Sequence, residues 1–155
     1  MNINIMKAEN KHLMDCEVAL LKSDLGRIYF AEEDKAIKVL SEGISKGEIF
    51  VAINKEGICL GFAWAILNGA FHSFPYLHII AVKEEFRDLG IGKKLLKHFE
   101  EVICRTYSKL FLVVADVNPR ARKLYEGIGY KEVGVIPNLY KTGATECLMM
   151  KENNL

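Results

Sequence analysis

The sequence predicts an α/β (α+β) chain in which helices cover the faces of one mixed, mostly antiparallel sheet. Three observations support this. Apolar patterns follow the order strand, two helices, three strands, helix, strand, helix, two strands. The strand–helix–strand unit from Pro75 to Ala115 calls for a right-handed parallel crossover. Most other neighbours are separated by short turn-like segments, as antiparallel hairpins are.

The elements follow in order. "INIMKA" alternates weakly and reads as a first strand. From His12 to Leu21 and from Glu32 to Ile44 the pattern is helical, with Ile37, Leu40 and Ile44 on one face. "SDLGRIYFA" between them reads as a loop carrying Tyr29 and Phe30. "EIFVAI" (48–53) and "ICLGFAWAIL" (58–67) flank "NKEG", a hairpin signal, and "PYLHIIAV" (75–82) is the next strand. A helix is expected from Leu89 to Tyr107, with Ile91, Leu95, Phe99, Val102 and Ile103 on its apolar face. "KLFLVVA" (109–115) is apolar throughout, as a strand buried on both faces would be. Asn118 and Pro119 suit the start of a short helix and Gly129 its exit. "YKEVGVI" and "TECLMMK" read as the last strands.

At 155 residues, half of them apolar and 26% charged, the chain is expected to be a single domain over 1–155 with a proper core. Its net charge of +1 offers no field for capturing nucleic acid. Cys16, Cys59, Cys104 and Cys147 stand more than forty residues apart, which suggests buried, reduced thiols and neither a metal site nor a disulfide framework. The N-terminus lacks an apolar run of signal-peptide length, and "LFLVVA" is too short to span a bilayer. The expectation is a cytoplasmic protein with no membrane, nucleic-acid or metal partner.

"EEFRDLGIGKKLL" (84–96) is an unfavourable way to begin a helix. Gly90 and Gly92 each cost up to about 1 kcal/mol against alanine if helical. Lys93 and Lys94 each add roughly 0.3–1 kcal/mol of repulsion from the positive end of the macrodipole. An anion docked there would reverse the argument, because free first-turn N–H groups point at it and the glycines let it approach. Two familiar glycine loops are excluded. A GxGxxG fingerprint needs glycine where Leu95 stands, and a P-loop needs glycine at Arg87 and Ser or Thr at Lys94.

What remains, Arg87-x-x-Gly90-x-Gly92 between a strand and a helix, resembles the pyrophosphate-binding motif of the GNAT superfamily of N-acetyltransferases. "IIAVKEEFRDLGIGKKLL" resembles that family's strand–turn–helix core, and "NPRARKLYEGIGYKEVG" its second motif. The similarity covers nearly the whole chain, the first 45 residues only in outline. It implies the GNAT acyl-CoA N-acyltransferase fold: six to seven strands with a splayed parallel central pair and about four helices.

The resemblance also implies roles. Acetyl-CoA would be the co-substrate. Its pyrophosphate would meet Arg87, Asp88, Leu89, Gly90, Ile91, Gly92, Lys93 and Lys94. Its pantetheine arm would meet the main chain of Ile80, Ala81 and Val82, with Asn118, Ala121 and Tyr125 on the opposite wall. Tyr125 would protonate the leaving thiolate. For the base, strand alternation groups Tyr76, His78, Ile80 and Val82. His78, with an ordinary value near 6.5, is the first candidate, while a water relay or an acceptor arriving neutral would need none. Tyr29, Phe30, Tyr76 and Tyr140 would line the acceptor side. The implied activity is acetyl transfer to a primary amine of a small molecule or peptide, and the architecture leaves room for a homodimer. A non-catalytic acyl-CoA-binding regulatory domain is the alternative.

Overall fold

The computed structural model describes residues 1–153. Its strands are β1 (Ile3–Lys7), β2 (Ile49–Asn54), β3 (Cys59–Ala70), β4 (Phe74–Val82), β5 (Lys109–Ala115), β6 (Lys131–Pro137) and β7 (Thr145–Glu152). They form one seven-stranded sheet in the order β1-β2-β3-β4-β5-β7-β6. The helices are α1 (Leu13–Leu21), α2 (Asp24–Tyr29), α3 (Lys35–Ser45), α4 (Ile91–His98) and α5 (Pro119–Gly127). β4 and β5 are parallel, with Tyr76 opposite Phe111 and Leu77 opposite Leu112. The β1–β2, β2–β3, β5–β7 and β6–β7 pairs are antiparallel. The mixed, mostly antiparallel sheet is therefore as expected. No described helix is long and apolar enough to cross a membrane.

The chain forms two compact units, and β3 and β4 contribute residues to both. The first comprises Met1–Ala65 and Ile79–Phe99. Its core includes Leu20 of α1, Leu40 of α3, Ile49 and Val51 of β2, Leu60 and Phe62 of β3, and Ile91 and Leu95 of α4. The β2–β3 turn follows the "NKEG" signal: the Asn54 side chain accepts from the Glu56 and Ile58 N–H groups, and Gly57 N–H donates to Asn54 O. At Gly61 the β3 backbone comes so close to β4 that a Cβ would stand 2.6 Å from Ala81 O. The second unit comprises Ile66–His78 and the chain from Glu100 onward. Leu110, Leu112, Tyr130 and Met149 are fully buried there.

Two expectations need correction. "SDLGRIYFA" is largely helical, not a loop. Ser23 caps α2, its Oγ accepting from Gly26 N–H at 3.0 Å, and Asp24 places a carboxylate in the first turn. The helix expected to run to Tyr107 stops at His98 and passes into a π-turn over Phe99–Ile103. That turn rotates the following residues off the apolar face, so Val102 is 57% exposed. The four cysteines are free and buried, as expected.

Candidate active site

In the first unit, β4 ends at Val82 and the chain reaches α4 through a short 3₁₀ turn and a loop. Asp88 and Gly90 adopt left-handed φ values of 64° and 81°. Gly90 occupies the N-cap with that left-handed backbone, so its supposed helix penalty does not apply. The first helical bond there runs from Lys94 N–H to Gly90 O at 3.1 Å. The N–H groups of Ile91, Gly92 and Lys93 therefore lie in the turn that helix geometry leaves without intrahelical partners. Left-handed residues beside such donors make the concave arrangement that takes up anions. Lys93 and Lys94 are exposed and bring two positive charges to it.

Arg87 braces this loop. Its guanidinium donates to Val82 O at 3.3 Å and to Lys22 O, just past α1, at 2.8 Å. It thus ties the loop to the end of β4, in addition to any charge it offers a phosphate. Lys83 fixes the same end of β4: it is 9% exposed, its N–H donates to Leu60 O, and its Nζ pairs with Asp15 at 2.5 Å. Tyr29 is half-buried at the end of α2. Phe30 is 9% exposed beneath the Lys35 ammonium at 5.7 Å, the environment of a packing residue.

In the second unit, Asn118 caps α5, its Oδ1 accepting from Ala121 N–H at 3.2 Å, and Pro119 follows as the sequence suggested. Tyr125 is buried on α5 and stands edge-on to the Tyr130 ring at 6.0 Å. Burial pushes its phenol well above the usual tyrosine value. On β4, Tyr76 and His78 lie ring to ring at 5.9 Å. The Tyr76 hydroxyl meets that of Tyr140, from the loop between β6 and β7, at 2.8 Å. Burial, then Tyr140, Glu146 and Tyr125, push the Tyr76 phenol up as well, so it stays protonated at neutral pH.

Three of the expected residues, Tyr76, His78 and Tyr140, are thus gathered in this unit, and electrostatics couples Tyr76 to Tyr125. Glu146 belongs with them and was not singled out in the sequence. It is 2% exposed, a buried carboxylate in the strand next to the edge strand β6. The available signal was its place inside the otherwise apolar core of "TECLMMK". Its burial came from β7 lying between β5 and β6, which no periodicity reveals.

Comparison with known proteins identifies the family. The model of the acetyltransferase (GNAT) domain matches residues 45–132. An N-alpha-acetyltransferase of Sulfolobus acidocaldarius is 28% identical over 66% of this chain and 68% of its own length. Another, from Sulfurisphaera tokodaii, is 38% identical over 64% of this chain and 66% of its own. The solved structure of Arabidopsis thaliana Naa50, in complex with the bisubstrate analogue CoA-Ac-MVNAL, shares the fold. Its TM-score is 0.75 at 20% identity, covering 99% of this chain and all of that one. The chain belongs to the GNAT family of acetyl-CoA-dependent N-acetyltransferases.

Proposed function

We propose that this chain transfers the acetyl group of acetyl-CoA to the α-amine of a peptide N-terminus by direct attack on the thioester. The observation that carries the reading is the run of outward N–H groups at the start of α4, beside the left-handed Asp88 and Gly90. The residues fit a diphosphate: main-chain donors, two exposed lysines and an arginine-braced loop. The choice of acceptor is supported by the two archaeal relatives named N-alpha-acetyltransferase.

Energetics favour the same acceptor. At pH 7 a lysine-like amine, with a pKa of about 10.4, costs roughly 4–5 kcal/mol to deprotonate. An α-amine near 7.7–8.0 costs about 1 kcal/mol, so the protein needs to supply far less. As the ammonium becomes an amide, nitrogen loses two protons. One leaves through a base to solvent, and the other ends on the sulfur when the C–N bond has formed and the C–S bond breaks. The Val82 N–H is placed here as the donor to the oxyanion. Tyr125 acts on the sulfur. A thiol of ordinary pKa about 8.5 is already a stronger acid than a tyrosine near 10, so full proton transfer is uphill by at least about 2 kcal/mol. Burial widens that gap. Tyr125 therefore donates a hydrogen bond to the departing thiolate without surrendering its proton to it.

The test is a thiol-release assay with acetyl-CoA against short peptides, blocked peptides, free amino acids and polyamines, paired with thermal shift. Acetyl-CoA should raise the melting temperature, and free peptide N-termini should be turned over in preference to N-blocked peptides that retain a lysine. Stabilisation without turnover of any amine would defeat the reading.

A further inference from the structure

We propose that Glu146 is the general base of the reaction, taking the proton from the acceptor amine at the cluster it forms with Tyr76 and Tyr140. This rests on the function proposed above. Strand register supplies the geometry. Tyr76 of β4 stands opposite Phe111 of β5. Alternation carries that face of β5 through Val113 to Ala115, and Ala115 stands opposite Glu146 of β7. Tyr76, His78 and Glu146 thus occupy one face of the second unit's strands. The loop between β6 and β7 reaches the same face, because Tyr140 meets the Tyr76 hydroxyl at 2.8 Å.

β7 runs between two other strands, and the face that carries Glu146 continues through Leu148 and Met150. A carboxylate kept at 2% exposure is a burden on the fold unless it interacts with something specific. Within its unit Glu146 acts on the Tyr76 phenol of β4, which is itself joined to Tyr140 from the loop, lies ring to ring with His78 and is coupled to Tyr125 of α5. Tyr76 and Tyr125 are held protonated and cannot serve as bases near neutrality. His78 is the remaining rival on that face.

The step balances. The ammonium N–H bond breaks and its proton passes to the Glu146 carboxylate, directly or through one water. The freed lone pair forms the C–N bond as described above, and the protonated Glu146 returns its proton to solvent after product leaves.

The experiment follows kcat and KM of wild type, Glu146→Gln, Glu146→Asp and His78→Gln over about pH 6–9, with Glu146→Ala assayed with and without formate. Glu146→Gln should lower kcat about 10²–10³-fold at saturating peptide, with the KM for acetyl-CoA nearly unchanged. Formate, a diffusible carboxylate, should restore part of the Glu146→Ala rate, which a packing role would not permit. His78→Gln should lower kcat far less than Glu146→Gln does. If Glu146→Gln retains full kcat, or if formate restores nothing to Glu146→Ala while His78→Gln loses as much kcat, the proposal is overturned. Formate rescue and the kcat of His78→Gln decide the matter even if Glu146→Gln folds poorly. Wild type that turns over no amine defeats the function itself, whereas active wild type with an undiminished Glu146→Gln defeats Glu146 alone.

Discussion

Gly61 on β3 allows a perturbation of the end of β4, proposed above to meet the cofactor, without touching any side chain given a role. A Cβ there would meet Ala81 O at 2.6 Å, Val82 Cα at 2.9 Å and Val82 Cγ2 at 3.3 Å. Carbon contacts are comfortable near 3.5–4.0 Å, so Gly61→Ala forces the end of β4 to withdraw by roughly 0.5–1 Å. Overpacking of that kind costs about 1–3 kcal/mol. In a chain of this length it lowers Tm by roughly 3–10 °C. The functional consequence is larger. Ala81 and Val82 are the groups assigned to the pantetheine arm and the oxyanion, and misplacing reacting groups by about 1 Å can cost 10²-fold. Gly61→Ala should therefore reduce kcat/KM by about 10–100-fold in the thiol-release assay, measured well below the Tm of the variant. Gly127→Ala is the control. It lies at the end of α5 with nothing within 4 Å of an added Cβ. It should gain about 0.4–1 kcal/mol of stability with unchanged kcat/KM. Gly61→Ala within twofold of wild type would refute the placement of reacting groups at the end of β4.

Three other outcomes are expected. Tyr125→Phe should lower kcat far more than it weakens acetyl-CoA binding by calorimetry; equal losses in both would reassign Tyr125 to packing. Arg87→Ala removes two hydrogen bonds from a charged donor to Val82 O and Lys22 O. At about 1.5–3 kcal/mol for such bonds, the Kd for acetyl-CoA should rise at least about tenfold, and Arg87→Lys should restore little because it lacks the forked geometry. An unchanged Kd in Arg87→Ala would contradict the brace. Burial lowers His98, beside the Phe50 ring at 5.4 Å, below its ordinary value of 6.5. Below pH 6.5 the unfolded chain then binds more protons there than the folded one. The stabilisation is complete above 6.5 and lost as pH falls through the lower folded value, so urea midpoints should drop less in His98→Gln than in wild type between about pH 7.5 and 5.5.

Where a local rule decided an element, the sequence displayed it. Asn118-Pro119 announced α5, "NKEG" announced the β2–β3 turn, and the apolar run of β5 is indeed buried at Leu110, Phe111, Leu112 and Val114. α2 was obscured because its six residues are too few to display a period. Ser23-Asp24 was the capping signal that outweighed Gly26. The end of α4 was obscured for a different reason. A π-turn keeps helical composition while changing the phase of the apolar face, so Val102 fitted a helix that the chain does not continue. The unusual start of α4 was legible as a contradiction of helix energetics at Gly90, Gly92, Lys93 and Lys94, and the left-handed Gly90 at its N-cap is what resolves part of it. Glu146 was not, because its burial depends on β7 lying between β5 and β6, an arrangement set by long-range pairing.

The most direct test is an amide NMR titration with acetyl-CoA, repeated with pantetheine lacking the diphosphate. Acetyl-CoA should shift the N–H resonances from Leu89 to Lys94 at saturation, and the truncated ligand should leave those resonances in place while still perturbing Ile80–Val82. Resonances from Leu89 to Lys94 that stay unmoved by saturating acetyl-CoA would contradict the placement of the diphosphate on which every assigned role depends.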